Sequence, residues 1–244
     1  MLSIEAPEVH YPGDTKPYKH DRKLKELGDR LASGALPEIS NKLKSHLIER
    51  LDDGAGTRQY NQGLSSADHF LEMIDRELFP TTHAARKLFL IGSGERFDNN
   101  GRVLAYITKK LTKKELEEIP KSKRKTFNLM LVEDGWASSF PVYPSLPGLD
   151  DFEMLRAGAE KARNEKRGIW QDSKTLLGYE FRMCVKLLGE NSGIEDYLPR
   201  FCADVTTKKL FKPEDYLEVL PENRLFIWRK HVNEARGELK LVDA

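Results

Sequence analysis

Apolar residues recur along this chain at two spacings, and the changes from one to the other divide it into elements. Leu24, Leu27 and Leu31 repeat at helical intervals within a charged background and predict a helix over residues 21–31. Leu43, Leu47 and Leu51 define the face of a second helix, with Ser40 placed to cap it, and the run Asp52-Asp-Gly-Ala-Gly-Thr57 breaks it. Ala67, Phe70, Leu71, Ile74 and Leu78 predict a third, capped by Ser65 or Ser66 and ended by Pro80. The spacing then tightens. Residues 87–91 read as a strand bounded by Gly92-Ser-Gly94. Val103, Ala105 and Ile107 alternate with Leu104 and Tyr106, so the partner strand is largely apolar on both faces. Between the two, Asn100-Gly101 supplies the positive φ angles of a tight hairpin turn.

Residues 113–118 are a charged insertion ahead of a helix that begins near Phe127, and residues 140–149, with three prolines, predict an ordered loop. Phe152, Leu155, Ala159 and Ala162 form a further helical stripe terminated by Gly168. In the remainder, 179–185 reads as a strand, Pro213-Glu-Asp-Tyr216 as a helical turn with proline at its first position, and 225–228 as a compact apolar run. Residues 171–244 are too few to be expected to fold without packing on what precedes them, and they contain no motif of known chemistry.

Composition narrows the function classes. Charged residues make up 32% of the 244, yet the net charge is only +1, so bulk attraction to nucleic acid gains no support, although a local basic groove would be invisible to that balance. No run of about 18 apolar residues suggests a membrane span. Glu5 and Pro7 interrupt any signal-peptide core, so the chain is expected either not to be exported from this start or to have lost its natural beginning; the compartment is unreadable. Cys184 and Cys202 allow one bridge or two separate buried thiols. The six histidines lack zinc-ligand spacing, and there is no phosphate-binding P-loop, dinucleotide fingerprint or nucleophile elbow.

Candidate chemistry centres on Arg102, which leaves the Asn100-Gly101 turn at a rigid strand mouth where a guanidinium can meet a phosphate in two-pronged fashion. The surrounding string, Asp98-Asn-Asn-Gly-Arg-Val-Leu-Ala-Tyr-Ile, resembles the Asp-x-x-Gly-Arg-x-Leu-Ala-Tyr-Ile strand of the staphylococcal nuclease-like (thermonuclease-like) family. Three further stretches resemble that family in the same order. They are Ile4-Glu5-Ala6-Pro7-Glu8, Leu129-Met-Leu-Val-Glu-Asp-Gly-Trp-Ala137, and residues 155–170 with their closing Gly168-Ile-Trp170. The resemblance covers residues 1–12 and about 64–170.

What the resemblance implies is an α+β fold: a partial oligonucleotide-binding (OB-fold) barrel with packed helices, over residues 1–170. A helical insertion occupies about 13–60, either a solvated hairpin packed on the barrel or a substrate-reading arm, and 171–244 follow as a C-terminal extension. It also implies an endonuclease, a hydrolase of DNA or RNA phosphodiesters dependent on calcium. Glu8 is the implied base, Arg102 the stabiliser of the transition state, and Glu5 with the Ala6 carbonyl the implied metal ligands. Tyr143 falls where the family has a tyrosine lining the nucleotide pocket, and either stacks on a base or packs. Lys109 and Lys110 are either phosphate contacts or a solvated strand end. Glu5 is one methylene longer than the aspartate usual at that position. The family's early metal-binding Asp and a second essential Arg would fall upstream of Met1, with two barrel strands and most of a third. The expectation is therefore a fragment, incomplete and weakly active on its own. The alternative is a non-catalytic nucleic-acid- or protein-binding module that keeps the scaffold.

Overall fold

The computed structural model describes residues 1–34, 39–81, 84–94, 97–98, 101–189 and 194–244. The fold is mixed helix and sheet. Strand β1 (Ile4–Glu5) is followed by a 3-10 turn at Pro17–His20 and helices α1 (Asp21–Ala32), α2 (Asn41–Ile48) and α3 (Ala55–Leu78). A hairpin of β2 (Leu88–Ile91) and β3 (Tyr106–Lys109) leads to α4 (Lys113–Glu118), α5 (Phe127–Glu133), β4 (Ser138–Ser139), β5 (Val142–Tyr143) and α6 (Leu149–Asn164). The last third contains α7 (Gly178–Leu187), α8 (Ile194–Tyr197), β6 (Arg200–Asp204), β7 (Lys209–Phe211), β8 (Arg224–Trp228), α9 (Val232–Leu239) and β9 (Val242–Asp243). Among the described residues the strands form two separate pairs, β1–β4 and β2–β3, and one five-stranded sheet of order β5-β8-β6-β7-β9, with no closed barrel. Among the described residues no helix is long and apolar enough to cross a membrane.

Local signals account for many boundaries. Ser40 accepts from the Leu43 N–H (3.3 Å) at the start of α2, and Thr126 from the Leu129 N–H (3.2 Å) at the start of α5. The charged residues 113–118 are helical, closed by a reciprocal Thr112–Glu115 capping box. Pro213 opens a 3-10 turn over Pro213–Glu218, and residues 224–228 are the strand β8. The proline-rich loop is ordered and contributes the short strand β5.

Three expectations are corrected. The third helix does not begin at Ser65 or Ser66 but at Ala55; Ser66 is interior, its hydroxyl donating to the Trp136 carbonyl (2.8 Å). The break expected at residues 52–57 falls between α2, which ends at Ile48, and α3, while Gly63 within α3 is a contact point. A Cβ on Gly63 would lie 3.0 Å from the Pro7 carbonyl and 2.9 Å from Val9 Cγ2, so the bare backbone lets residues 7–9 cross α3. Residues 179–185 are helix, not strand: Glu180, Phe181, Met183, Cys184 and Leu187 are buried along it, and the Glu180 carboxylate accepts the Leu177 N–H (2.9 Å) ahead of the first turn. The hairpin pairs β2 with residues 106–109 rather than 103–107; Val103 makes only a bridge to Phe97. Asn100 of the anticipated turn lies outside the described residues, while Gly101 has φ +74° and its N–H donates to the Asp98 carbonyl (3.0 Å). All four side chains of β2 are exposed, so the hairpin's apolar faces are only partly covered.

The core falls into three clusters. The first joins Leu24, Leu27, Leu43 and Leu47 of α1 and α2 to Phe181 and Cys184 of α7, Cys202 of β6 and Phe226 of β8. The helical segment before residue 60 thus shares its interior with the C-terminal part of the chain. The second joins Ile4, Met73, Phe127, Val132 and Leu155; the third lies under the far face of the five-stranded sheet. Cys184 and Cys202 are both buried free thiols, which resolves the two alternatives in favour of separate side chains.

A buried polar knot pins the first cluster. The Glu180 carboxylate accepts from His46 Nε2 (3.0 Å) on α2 and from the Tyr216 hydroxyl (2.9 Å). Burial alone would raise this carboxyl, but the His46 hydrogen bond and charge, the Arg224 charge and the Leu177 N–H outweigh it and hold it at about 2. A carboxyl depressed in the folded state contributes stability above its unfolded value and loses it as pH falls toward the folded one. We expect the urea midpoint to fall between about pH 4.3 and pH 2 for this reason. Glu180→Gln removes that step and, by weakening the charge-assisted hydrogen bond with His46, lowers stability at pH 7 by about 1.5–3 kcal/mol; urea unfolding at pH 7 and pH 3 reads both effects.

Candidate active site

The N-terminal segment is held between two others. The Leu2 N–H donates to the Ala105 carbonyl (3.0 Å) beside β3, and the Phe140 N–H donates to the Ser3 carbonyl (2.8 Å). Buried Asn128 locks the arrangement, donating to the Leu2 carbonyl (2.9 Å) and accepting from the Ile107 N–H (2.9 Å). β1 then pairs antiparallel with β4, Ile4 opposite Ser139 and Glu5 opposite Ser138. The chain passes over α3 at Gly63. With the buried Gln59 amide oriented to satisfy its surroundings, its oxygen accepts from the Glu8 N–H (2.8 Å) and its nitrogen donates to the Leu176 carbonyl (2.9 Å). The backbone carrying Glu5 and Glu8 is therefore fixed on both sides.

Glu5, Glu8 and Arg102 line one cavity of about 950 Å³. The acid after Pro7 and the cation after the hairpin turn thus face a common space. Arg102 is anchored by Asp98: its backbone N–H donates to Oδ1 (2.9 Å) and its Nε to Oδ2 (2.6 Å), while the side chain stays 76% exposed. Its two terminal nitrogens have no hydrogen-bond partner among the described residues.

Two functional side chains in this cavity were not anticipated from the sequence. Arg182, on α7, places one terminal nitrogen on Glu5 and the other on Glu8. Arg200, at the start of β6, lines the same wall. The second Glu5 oxygen accepts the Tyr179 N–H (2.6 Å) at the start of α7. This close approach requires glycine at the helix start: a Cβ on Gly178 would lie 2.9 Å from both the Ala6 carbonyl and Glu5 Cγ. The second Glu8 oxygen has no hydrogen-bond partner among the described residues.

Burial raises the Glu8 carboxyl above the ordinary glutamate value, and the Glu5 charge adds to this; Arg182, by charge and hydrogen bond, and the more distant Arg102 pull against it without cancelling it. Burial lowers the Arg182 guanidinium, but the two carboxylates outweigh it and hold it above its ordinary value.

The implied calcium ion does not fit these residues. One guanidinium already bridges Glu5 and Glu8, the remaining Glu5 oxygen is committed to Tyr179, and the Ala6 carbonyl abuts Gly178. Among the described residues no three His, Cys, Asp or Glu side chains are disposed to hold a metal. At this point of the fold Glu5 meets Arg182, and the Ala6 carbonyl meets Gly178. Tyr143 is corrected. It edges the cavity, but its ring is 3% exposed, packed with Leu210, Leu225 and Ile227, and its hydroxyl donates to Glu238 (2.7 Å), so it packs rather than stacks. Lys109 pairs with Glu77 (2.7 Å).

Residues 72–172 match the family described as staphylococcal nuclease homologue. Endonuclease YhcR of Bacillus subtilis (strain 168) is 26% identical over 113 residues, which are 46% of this chain and 9% of that protein, so the likeness spans a small part of the relative's length. The matched stretch holds Arg102 and Tyr143 but neither Glu5, Glu8, Arg182 nor Arg200. From the last turns of α3 to just beyond the 3-10 turn after α6, the chain is a staphylococcal nuclease-like region.

Proposed function

We propose that the cavity hydrolyses phosphodiester bonds of DNA or RNA, on a scaffold that is a partial OB-type barrel. The observation carrying this reading is that Glu8 and Arg102, far apart in sequence, line one cavity. In the reaction proposed, the unengaged Glu8 oxygen accepts a proton from water as the water oxygen bonds to phosphorus. Arg102 faces the charge that develops on the phosphoryl oxygens while the bond to the leaving oxygen breaks. Arg182 keeps Glu8 ionised against its burial and fixes its direction. Calcium remains an implication of family resemblance, with no place among these donors, and no step is assigned to it.

A second reading has one observation in its favour. Arg182 neutralises both acids, as it would in a module that binds nucleic acid without cutting it. The two readings part at Glu8, which is needed for turnover in the first and dispensable in the second.

With labelled single-stranded DNA, Arg102→Ala is expected to reduce cleavage at least about a hundredfold, the scale of one preorganised charge, and Glu8→Gln by about 10²–10⁴-fold. Binding without turnover, unchanged by Glu8→Gln, establishes the second reading instead. Because the base is the carboxylate and burial raises it, the acidic limb of the rate profile should lie above the ordinary glutamate range and be absent in Glu8→Gln. Arg182→Met should raise the Glu8 titration further, seen by carbon-13 carboxyl NMR, and cost about 2–4 kcal/mol of stability for this partly exposed pair.

A further inference from the structure

Arg200 stands apart from the other arginines that line the cavity. Among the described residues no carboxylate lies at salt-bridge distance from it, and its Nε is buried with no acceptor. What holds it is aromatic: its guanidinium carbon is 4.0 Å from the Trp228 ring centroid and 5.3 Å from that of Phe140. The backbone explains the position. Arg200 pairs with Trp228 across β6 and β8, and it lies two residues before Cys202, on the strand face that packs into the first core cluster. At the strand's first residue that face runs out of core and opens into the cavity. Burial pulls the guanidinium down to about 10, still charged at neutral pH, while the nearby Glu5 charge is spent on Arg182.

An unpaired guanidinium in a partly buried wall is costly unless an anion meets it. The other two arginines of the cavity are already committed, Arg182 to Glu5 and Glu8 and Arg102 in part to Asp98. We propose that Arg200 is a substrate-binding residue, the receptor for a backbone phosphate of single-stranded nucleic acid adjoining the phosphate at Arg102. A single strand suits the site for two reasons. The cavity has the volume of a ligand pocket rather than of a duplex groove, and the Phe97 ring, 59% exposed at its edge, offers a face for a base. The site would then draw its second phosphate contact from outside the stretch that matches the nuclease family. This inference rests on the reading of the cavity as a nucleic-acid site.

The test is binding measured in EDTA, by anisotropy of fluorescein-labelled oligothymidylate and oligouridylate over a series of salt concentrations, with cleavage assayed separately. Arg200→Met is expected to weaken binding at least tenfold at low salt. It should also lower the slope of log affinity against log salt by about 0.7, the loss of one single-strand phosphate contact. Arg200→Lys keeps the slope. In the unmodified protein, phenylglyoxal labelling of Arg200, read by peptide mass mapping, should be blocked by the oligonucleotide, which keeps the question answerable if Arg200→Met does not fold. Unchanged affinity and slope in Arg200→Met, or labelling indifferent to oligonucleotide, overturns the proposal while leaving cleavage at Glu8 and Arg102 intact. A protein that neither binds nor cuts either oligonucleotide overturns both readings together.

Discussion

One guanidinium between two carboxylates organises this molecule. Burial disfavours the Glu8 ion, and the neighbouring Glu5 charge adds to this. Arg182 answers both charges with its two terminal nitrogens and, because it rides on α7, it fastens the first residues of the chain to the last third. The Tyr179 N–H and the Gln59 amide complete the clamp, so the acids face the cavity from a backbone held on three sides. An internal cation of this kind is fixed in stoichiometry and position, whereas a bound ion depends on its concentration in the surroundings.

The cavity is an assembly of distant sequence. Glu5 comes from β1 and Glu8 from the turn after it, one arginine from the β2–β3 hairpin, another from α7 and a third from β6. The region that resembles known nucleases supplies the hairpin and the α5–α6 support, while the acids and two of the three guanidinium groups come from either side of it. The first core cluster follows the same logic, interleaving the leucines of α1 and α2 with α7 and the five-stranded sheet.

The legible parts of the sequence were those governed by local chemistry. Leu24, Leu27 and Leu31 mark α1 because one face of a helix repeats at that interval, and all three are at most 2% exposed. Ser40 announces a helix start because its hydroxyl answers a local N–H. Where tertiary contacts set the outcome, local reading misled. Ser65 and Ser66 look like a helix cap although α3 already runs through them from Ala55, and residues 179–185 alternate in polarity although they form a helix. The site divided in the same way. Glu8 and Arg102 were readable because each belongs to a compact motif. Arg182 and Arg200 were not, since each is a single arginine in a segment without chemical signature, given meaning only by what it meets across the fold. Glu180, three residues into its helix from Leu177, was the one local clue that α7 is a helix.

The least reactive residue near the cavity constrains it most. Gly178 has no side chain, yet the Ala6 carbonyl and the Glu5 stem press against the space where one would begin. A methyl group there would act as a wedge, prising the amino-terminal strand off the helix that neutralises it and exposing two like charges to each other. The placing of the acids is thus hostage to a missing side chain, at a position with no reactive group of its own.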